Sequence, residues 1–139
     1  MDSHLTDIAH VIQLSVAPVF LLTAISTLIG AMNTRLGRII DRRRVVSERH
    51  GSAGLAAEGV EELTQLAQRR HLIYLAILFA VIAALLVCLV VAGAFLGALM
   101  AVDLARLVAA FFIFAMGSMI VALTLFLREI YLAVSVGAR

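Results

Sequence analysis

Three long apolar segments, at about residues 8–32, 72–102 and 104–127, are separated by stretches that hold most of the polar and charged positions. Each apolar segment exceeds the roughly 20 residues that a helix needs to cross a bilayer. As one helix, the second segment would be about 46 Å long at 1.5 Å per residue. Because a hydrocarbon core is only about 30 Å thick, we predict that this span covers about residues 72–99.

The charged stretch at about residues 33–71 also has a helical pattern of apolar positions. The sequence "GSAG", Gly51 to Gly54, divides this stretch into two arms. We therefore predict that the first two membrane helices extend into an antiparallel helical hairpin. Its expected contacts are Ile39, Ile40 and Val46 against Val60, Leu63 and Leu66. The alternative is a disordered arginine-rich loop.

A short polar turn, "VDLAR", separates the last two spans, and Asp103 is a candidate N-cap for the third helix. The whole pattern predicts an all-α integral membrane protein with three transmembrane helices. We expect one membrane domain over residues 1–139, with spans at about 8–32, 72–99 and 104–127 and the hairpin at about 33–71.

Composition supports a membrane protein, and the distribution of charge predicts its orientation in the membrane. The chain is 63% hydrophobic and 14% charged, whereas soluble domains carry about 25% charged residues. Most arginines lie between Arg35 and Arg70, and short cytoplasmic loops concentrate positive residues. The hairpin and the C-terminus are thus predicted in the cytoplasm and the N-terminus outside. Arginines near the membrane indicate anionic lipid headgroups as partners rather than nucleic acid.

A line of small and polar residues crosses the first span and enters the first hairpin arm. We call it the small-residue stripe: Thr23, Ser26, Gly30, Asn33 and Gly37. With Val16, Val19 and Ile40 it follows a seven-residue repeat, which presents one face continuously to a partner helix. Small residues and hydroxyls are typical of helix contacts in lipid. Two interpretations remain open, a packing seam or the polar lining of a pathway through an oligomer.

Charged residues at the inner membrane edge suggest ion pairs. A buried Glu129, at the inner end of the third span, requires a cationic partner. The candidates at similar depth are Arg35, Arg38 and Arg70, and the spacing does not choose among them. Asp41 is a candidate partner for Arg69 across the hairpin.

Residues with catalytic or metal-binding chemistry are sparse. His4, Asp7 and His10 are spaced by three and form a weak candidate for a zinc-like ion, because such a ladder drifts around a helix. No catalytic triad, phosphate loop or metalloprotease motif occurs. We therefore expect neither an enzyme nor a cofactor.

The segments "APVFLL", "RLGRIIDRRR" and "LFLREI" resemble a family of small bacterial membrane proteins, DUF2721. The resemblance covers most of the chain. It implies three transmembrane helices and the inner membrane of a bacterium, and it supplies no activity, since the family's function is unknown.

Three helices are too few to enclose a pathway, and each span carries a line of small residues that favours helix contacts. We therefore expect a homo-oligomeric channel or transport protein for small ions, with the first helix nearest the axis. The competing hypothesis is a non-conducting scaffold or accessory subunit whose cytoplasmic hairpin docks a partner.

Overall fold

Three helices account for nearly all residues in the computed structural model, which describes residues 2–50 and 57–138. They are α1 (Asp2–His50), α2 (Ala57–Met100) and α3 (Ala105–Gly137). All three are long and apolar enough to cross a membrane. The predicted all-helical class with three membrane-capable helices is confirmed. The predicted break at Gly51–Gly54 lies outside the described residues.

The charged stretch between the first two apolar segments is helical wherever it is described. α1 continues through the arginines to His50, and α2 is already helical from Ala57. The chain divides into two compact units, each containing a segment of all three helices. The first unit is Met1–Leu28 with Phe79–Ile120, and the second is Ile29–Leu78 with Val121–Arg139.

In the first unit, small side chains bring the helices together. Ala80 and Ala83 of α2 and Ala115 of α3 are fully buried, and such residues allow close backbone approach. The hydroxyl of Ser118 donates a hydrogen bond of 2.6 Å to the carbonyl oxygen of Phe79. This bond satisfies the hydroxyl inside the unit and fixes the register between α2 and α3.

The turn from α2 to α3 caps both helices. The N–H of Val102 donates to the carbonyl of Gly97 at 3.2 Å, and Ala101 between them has φ 52°. This is the geometry of a Schellman C-cap, in which a left-handed residue follows the helix. The carboxylate of Asp103 accepts from the N–H of Ala105 at 3.1 Å and so satisfies an N–H of the first turn of α3.

The pair Gly93 and Gly97 also belongs to this turn. A Cβ at Gly97 would lie 3.2 Å from the carbonyl oxygen of Val102, and one at Gly93 would lie 3.1 Å from Cγ2 of Val108. Both distances are tighter than ordinary van der Waals contact. The two glycines therefore permit the close approach of α2 to the turn and the first part of α3.

Ala101→Gly is expected to stabilise the protein, because an alanine in the left-handed region is strained and glycine is not. The gain should be about 1 kcal/mol in the free energy of unfolding. Equilibrium unfolding in mixed detergent micelles measures it. Ala92→Gly, the same change at an exposed position within α2, should instead cost about 1 kcal/mol. Equal losses from both variants would contradict the strained cap.

In the second unit, α1 and α2 are held in antiparallel register. The guanidinium Nε of Arg42 donates to Oε1 of Glu62 at 2.9 Å. Of the residues expected at the contact between the arms, Ile39, Val46 and Leu66 are buried. Ile40 and Val60, also expected there, are exposed, and Leu63 is half-buried.

Candidate functional site

Glu129 occupies a position that small apolar residues hold elsewhere in the same helix. The buried residues Ala115 and Ala122 of α3 precede it at intervals of seven, so all three lie on one helix face. Its side chain is 0% exposed. Among the described residues it is the one fully buried charged side chain. Such a carboxylate requires compensation by charge and hydrogen bonds.

Two arginines from the other two helices supply that compensation. Nη1 of Arg35 in α1 lies 2.6 Å from Oε2 of Glu129. Nη2 and Nε of Arg69 in α2 lie 2.9 and 3.1 Å from Oε1. The guanidinium of Arg35 also lies over the ring of Phe126, 5.6 Å from its centroid. One residue from each helix therefore meets at one carboxylate, which we call the Glu129 cluster: Arg35, Arg69 and Glu129.

The Glu129 cluster has more positive than negative charge. Two guanidiniums share one carboxylate, so the three side chains sum to one positive charge. The arginines are only partly buried, with side chains 38% exposed for Arg35 and 24% for Arg69. The cluster thus ties three helices together and leaves cationic donors near the surface.

The observed ion pairs of Glu129 differ in part from the predicted ones. Arg35 was among the three candidate partners of Glu129, and the structure adds Arg69 in place of Arg38 or Arg70. Arg69 precedes the buried residues Ala76, Ala83 and Val90 on one line with a period of seven. It therefore lies on the packed face of α2, whereas Arg70 is rotated by about 100° from it. Helix phase, not depth, selects the partner.

The proposed pair of Asp41 with Arg69 is wrong. In the observed register, Arg42 lies beside Glu62, and Arg35 reaches the same carboxylate as Arg69. Asp41 is therefore six residues, or about 9 Å, from the level of Arg69. Its side chain is exposed.

The small-residue stripe is exposed along its whole length. All five members are exposed, and a Cβ built at Gly30 or Gly37 would meet no described atom within 4 Å outside its own helix turn. The other members of the same repeat, Val16, Val19 and Ile40, are exposed as well. The stripe is therefore not a packing seam between helices of the same chain.

A different line on α1 faces the rest of the chain. Ile25, Met32 and Ile39 are buried at intervals of seven. Ile25 and Met32 each precede a stripe residue, Ser26 and Asn33, by one position. Adjacent residues differ by about 100° around a helix, so the stripe flanks the buried line. The sequence contains two lines with the same period, and the apolar one is buried while the small and polar one is exposed.

The polar groups of the stripe differ in their hydrogen bonding. Thr23 donates to the carbonyl of Val19 at 3.3 Å, and Ser26 donates to that of Leu22 at 2.9 Å. These hydroxyls are satisfied by their own helix. The exposed amide of Asn33 has no hydrogen-bond partner among the described residues. It is the stripe member that needs water, a headgroup or another chain.

The histidines near the N-terminus line an open groove in the first unit. His4, Asp7 and His10 border it from α1, and Asp103 borders it from the α2–α3 turn. The described residues contain no group of three or more His, Cys, Asp or Glu side chains arranged to hold a metal ion. The rest of the groove lining is apolar or glycine.

Comparison with known proteins identifies the family. A family described as "Protein of unknown function (DUF2721)" matches residues 15–137, which is most of the chain. The match includes all three members of the Glu129 cluster and the whole small-residue stripe. No curated protein and no solved structure matches the chain. The chain therefore belongs to the DUF2721 family.

Proposed function

We propose that this protein is a homo-oligomeric membrane channel or transport protein for small ions, with α1 nearest the axis, and that it is not an enzyme. The observation that carries the proposal is the exposed small-residue stripe with the unpaired amide of Asn33. A primary amide facing hydrocarbon without a partner is costly. Water in a pathway, or the same face of another copy, would remove that cost.

The burial of α1 supports a role at an interface between copies. In its most apolar stretch of 18 residues, only 6% of the residues are buried inside the chain. The corresponding share for α2 is 28%. A helix without charges in this stretch can face lipid, but lipid does not require a regular line of glycine and hydroxyl residues. Helices of neighbouring copies approach closely at such a line. One ring of α1 helices would then surround a pathway that one chain is too small to enclose.

The topology belongs to the same proposal. We propose the inner membrane of a bacterium, with the N-terminus outside and the C-terminus in the cytoplasm. At 1.5 Å per residue, the 49 residues of α1 extend about 74 Å, more than twice a hydrocarbon core of about 30 Å. The arginine-rich end of α1 and the start of α2 would therefore form a cytoplasmic antiparallel hairpin. Arginines at its membrane end would contact anionic headgroups.

Cysteine labelling checks this orientation. In a Cys88→Ala background, Ser3→Cys and Asp103→Cys should react in intact cells with a thiol reagent that does not cross membranes. Ser47→Cys, exposed in the first hairpin arm, should react only after the cells are opened. Labelling of Ser47→Cys from outside, with equal expression of all three variants, would reverse the orientation.

Reconstitution tests conduction. The purified protein in liposomes should carry a small ion, with or without an applied voltage, as a defined oligomer. Fluxes of K⁺ and Cl⁻ are measured separately with matched gradients, and empty liposomes give the background. Correctly assembled protein that carries neither these nor other small ions would exclude the channel proposal.

The alternative function is a scaffold whose hairpin docks a partner, and the surface of the first hairpin arm favours it. Arg43 and Arg44 line a shallow groove with Ile40 and Ser47. An exposed groove with two guanidiniums and an apolar side chain suits an acidic protein segment. Co-purification of one partner in fixed stoichiometry, lost in Arg43→Gln/Arg44→Gln, would support the scaffold.

A further inference from the structure

A pocket of about 420 Å³ lies between α2 and α3 in the second unit, beside the Glu129 cluster. Arg69 forms part of its wall, together with Gln68 and Glu61 of α2. Leu132 and Val136 of α3 supply apolar surface. Gln65 and Ser135 also line it, so the pocket combines one cationic, two amide, one hydroxyl and one acidic group with a hydrophobic side.

Arg69 has donors left over for a ligand in this pocket. A guanidinium carries five N–H donors, and Arg69 uses Nε and Nη2 on one oxygen of Glu129. Its Nη1 has no acceptor among the described residues. Since Arg35 occupies the other oxygen of Glu129, that carboxylate cannot neutralise both arginines. The excess positive charge of the Glu129 cluster therefore reaches the wall of the pocket.

The amide of Gln68 is also available, because it has no hydrogen-bond partner among the residues described. The negative charge of Glu61 opposes the binding of an anion. Its carboxylate accepts from the amide nitrogen of Gln65 at 3.5 Å. Eight residues separate Glu61 from Arg69 on α2, which corresponds to about 12 Å along the helix. Glu61 therefore opposes an anion at Arg69 from a position about two helix turns away.

We infer that this pocket binds an anionic oxygen group, a carboxylate or phosphate, at Arg69 and Gln68. Guanidinium donors match the geometry of such groups. An apolar remainder of the ligand would lie along Leu132 and Val136. A small organic acid or the headgroup of an anionic lipid both carry this chemistry. Binding here does not require that the protein conduct ions.

Propionate and inorganic phosphate are the probes for free anions. The full-length protein is placed in nanodiscs of zwitterionic phosphatidylcholine, and binding is followed by saturation-transfer NMR for propionate and ³¹P line broadening for phosphate. Glu61→Gln should tighten binding roughly two- to threefold by removing a negative charge about 12 Å away. Glu48→Gln, the same change on an exposed part of α1 outside the pocket, should leave the affinity unchanged.

Gln68→Leu should weaken binding roughly tenfold, because a hydrogen bond to a charged group is lost. Gln13→Leu, at an exposed position of α1, is its control. Neither Glu61 nor Gln68 contacts the Glu129 cluster by an ion pair, so both variants should retain the helicity and unfolding midpoint of the parent protein. These two properties are measured on every variant.

Nanodiscs with phosphatidylglycerol distinguish the source of the anion. Native mass spectrometry shows whether this lipid stays bound to the protein. Loss of the bound lipid in Gln68→Leu, but not in Gln13→Leu, would identify a lipid headgroup as the ligand. Binding of propionate or phosphate with the same dependence would identify a free anion. Folded protein that binds none of the three probes overturns the inference. So does binding that Glu61→Gln weakens, since that result belongs to a cationic ligand.

Discussion

Glu129→Gln is expected to lower the free energy of unfolding by roughly 3 kcal/mol, the lower end of the range for breaking a buried ion pair. The substitution keeps the shape of the side chain and removes its charge. Arg35 and Arg69 would then face each other across a neutral amide that offers one acceptor oxygen instead of two. The lower end applies because both guanidiniums are partly exposed.

The exposed pair of Arg42 and Glu62 is the matched control. Glu62→Gln removes the same charge from a pair whose side chains are 52% and 37% exposed. Exposed ion pairs contribute less than about 1 kcal/mol. Equilibrium unfolding in mixed micelles, followed by helicity, compares the two variants. Similar losses for Glu129→Gln and Glu62→Gln would mean that the Glu129 cluster does not stabilise the fold through its burial.

If the protein is the proposed ion-conducting oligomer, Gly30→Leu and Asn33→Leu are expected to leave its assembly intact and to change its conductance. No described atom outside its own helix turn lies within 4 Å of a Cβ at Gly30, so leucine fits within one protomer. Any effect must therefore come from what the small-residue stripe faces in the assembly. In a hydrated pathway, Gly30→Leu narrows the opening and Asn33→Leu removes a polar group, which favours gating by dewetting.

A dry contact between copies predicts the opposite pattern. Overpacking at Gly30 would then cost about 1–3 kcal/mol of assembly, and loss of an interhelical hydrogen bond of Asn33 about 0.6–2 kcal/mol. Size-exclusion chromatography with light scattering measures the oligomer, and liposome flux measures conductance. Gly117→Leu is the control, since Gly117 of α3 is also exposed with no described neighbour within 4 Å of its Cβ. It should change neither quantity.

The candidate site was only partly predictable. A carboxylate at the C-terminal end of a long apolar segment requires a cation, so the sequence singled out Glu129 and the arginines near it. The choice between Arg69 and Arg70 depends on which face of α2 packs inward, and neighbouring positions differ by about 100°. The distance of about 9 Å between the levels of Asp41 and Arg69 likewise follows from the register of α1 against α2. No local pattern contains that register.

By itself, the sequence determined the elements that depend on local composition. Apolar length produced three membrane-capable helices, and Asp103 marked the start of α3 because a carboxylate satisfies the free N–H groups of a first turn. Only the tertiary structure decided which of two seven-residue lines on α1 is buried. Ile25, Met32 and Ile39 share their period with the small-residue stripe, and a period does not specify a direction. The face of α1 that is buried is set by contacts with α2 and α3, which are distant from it in sequence.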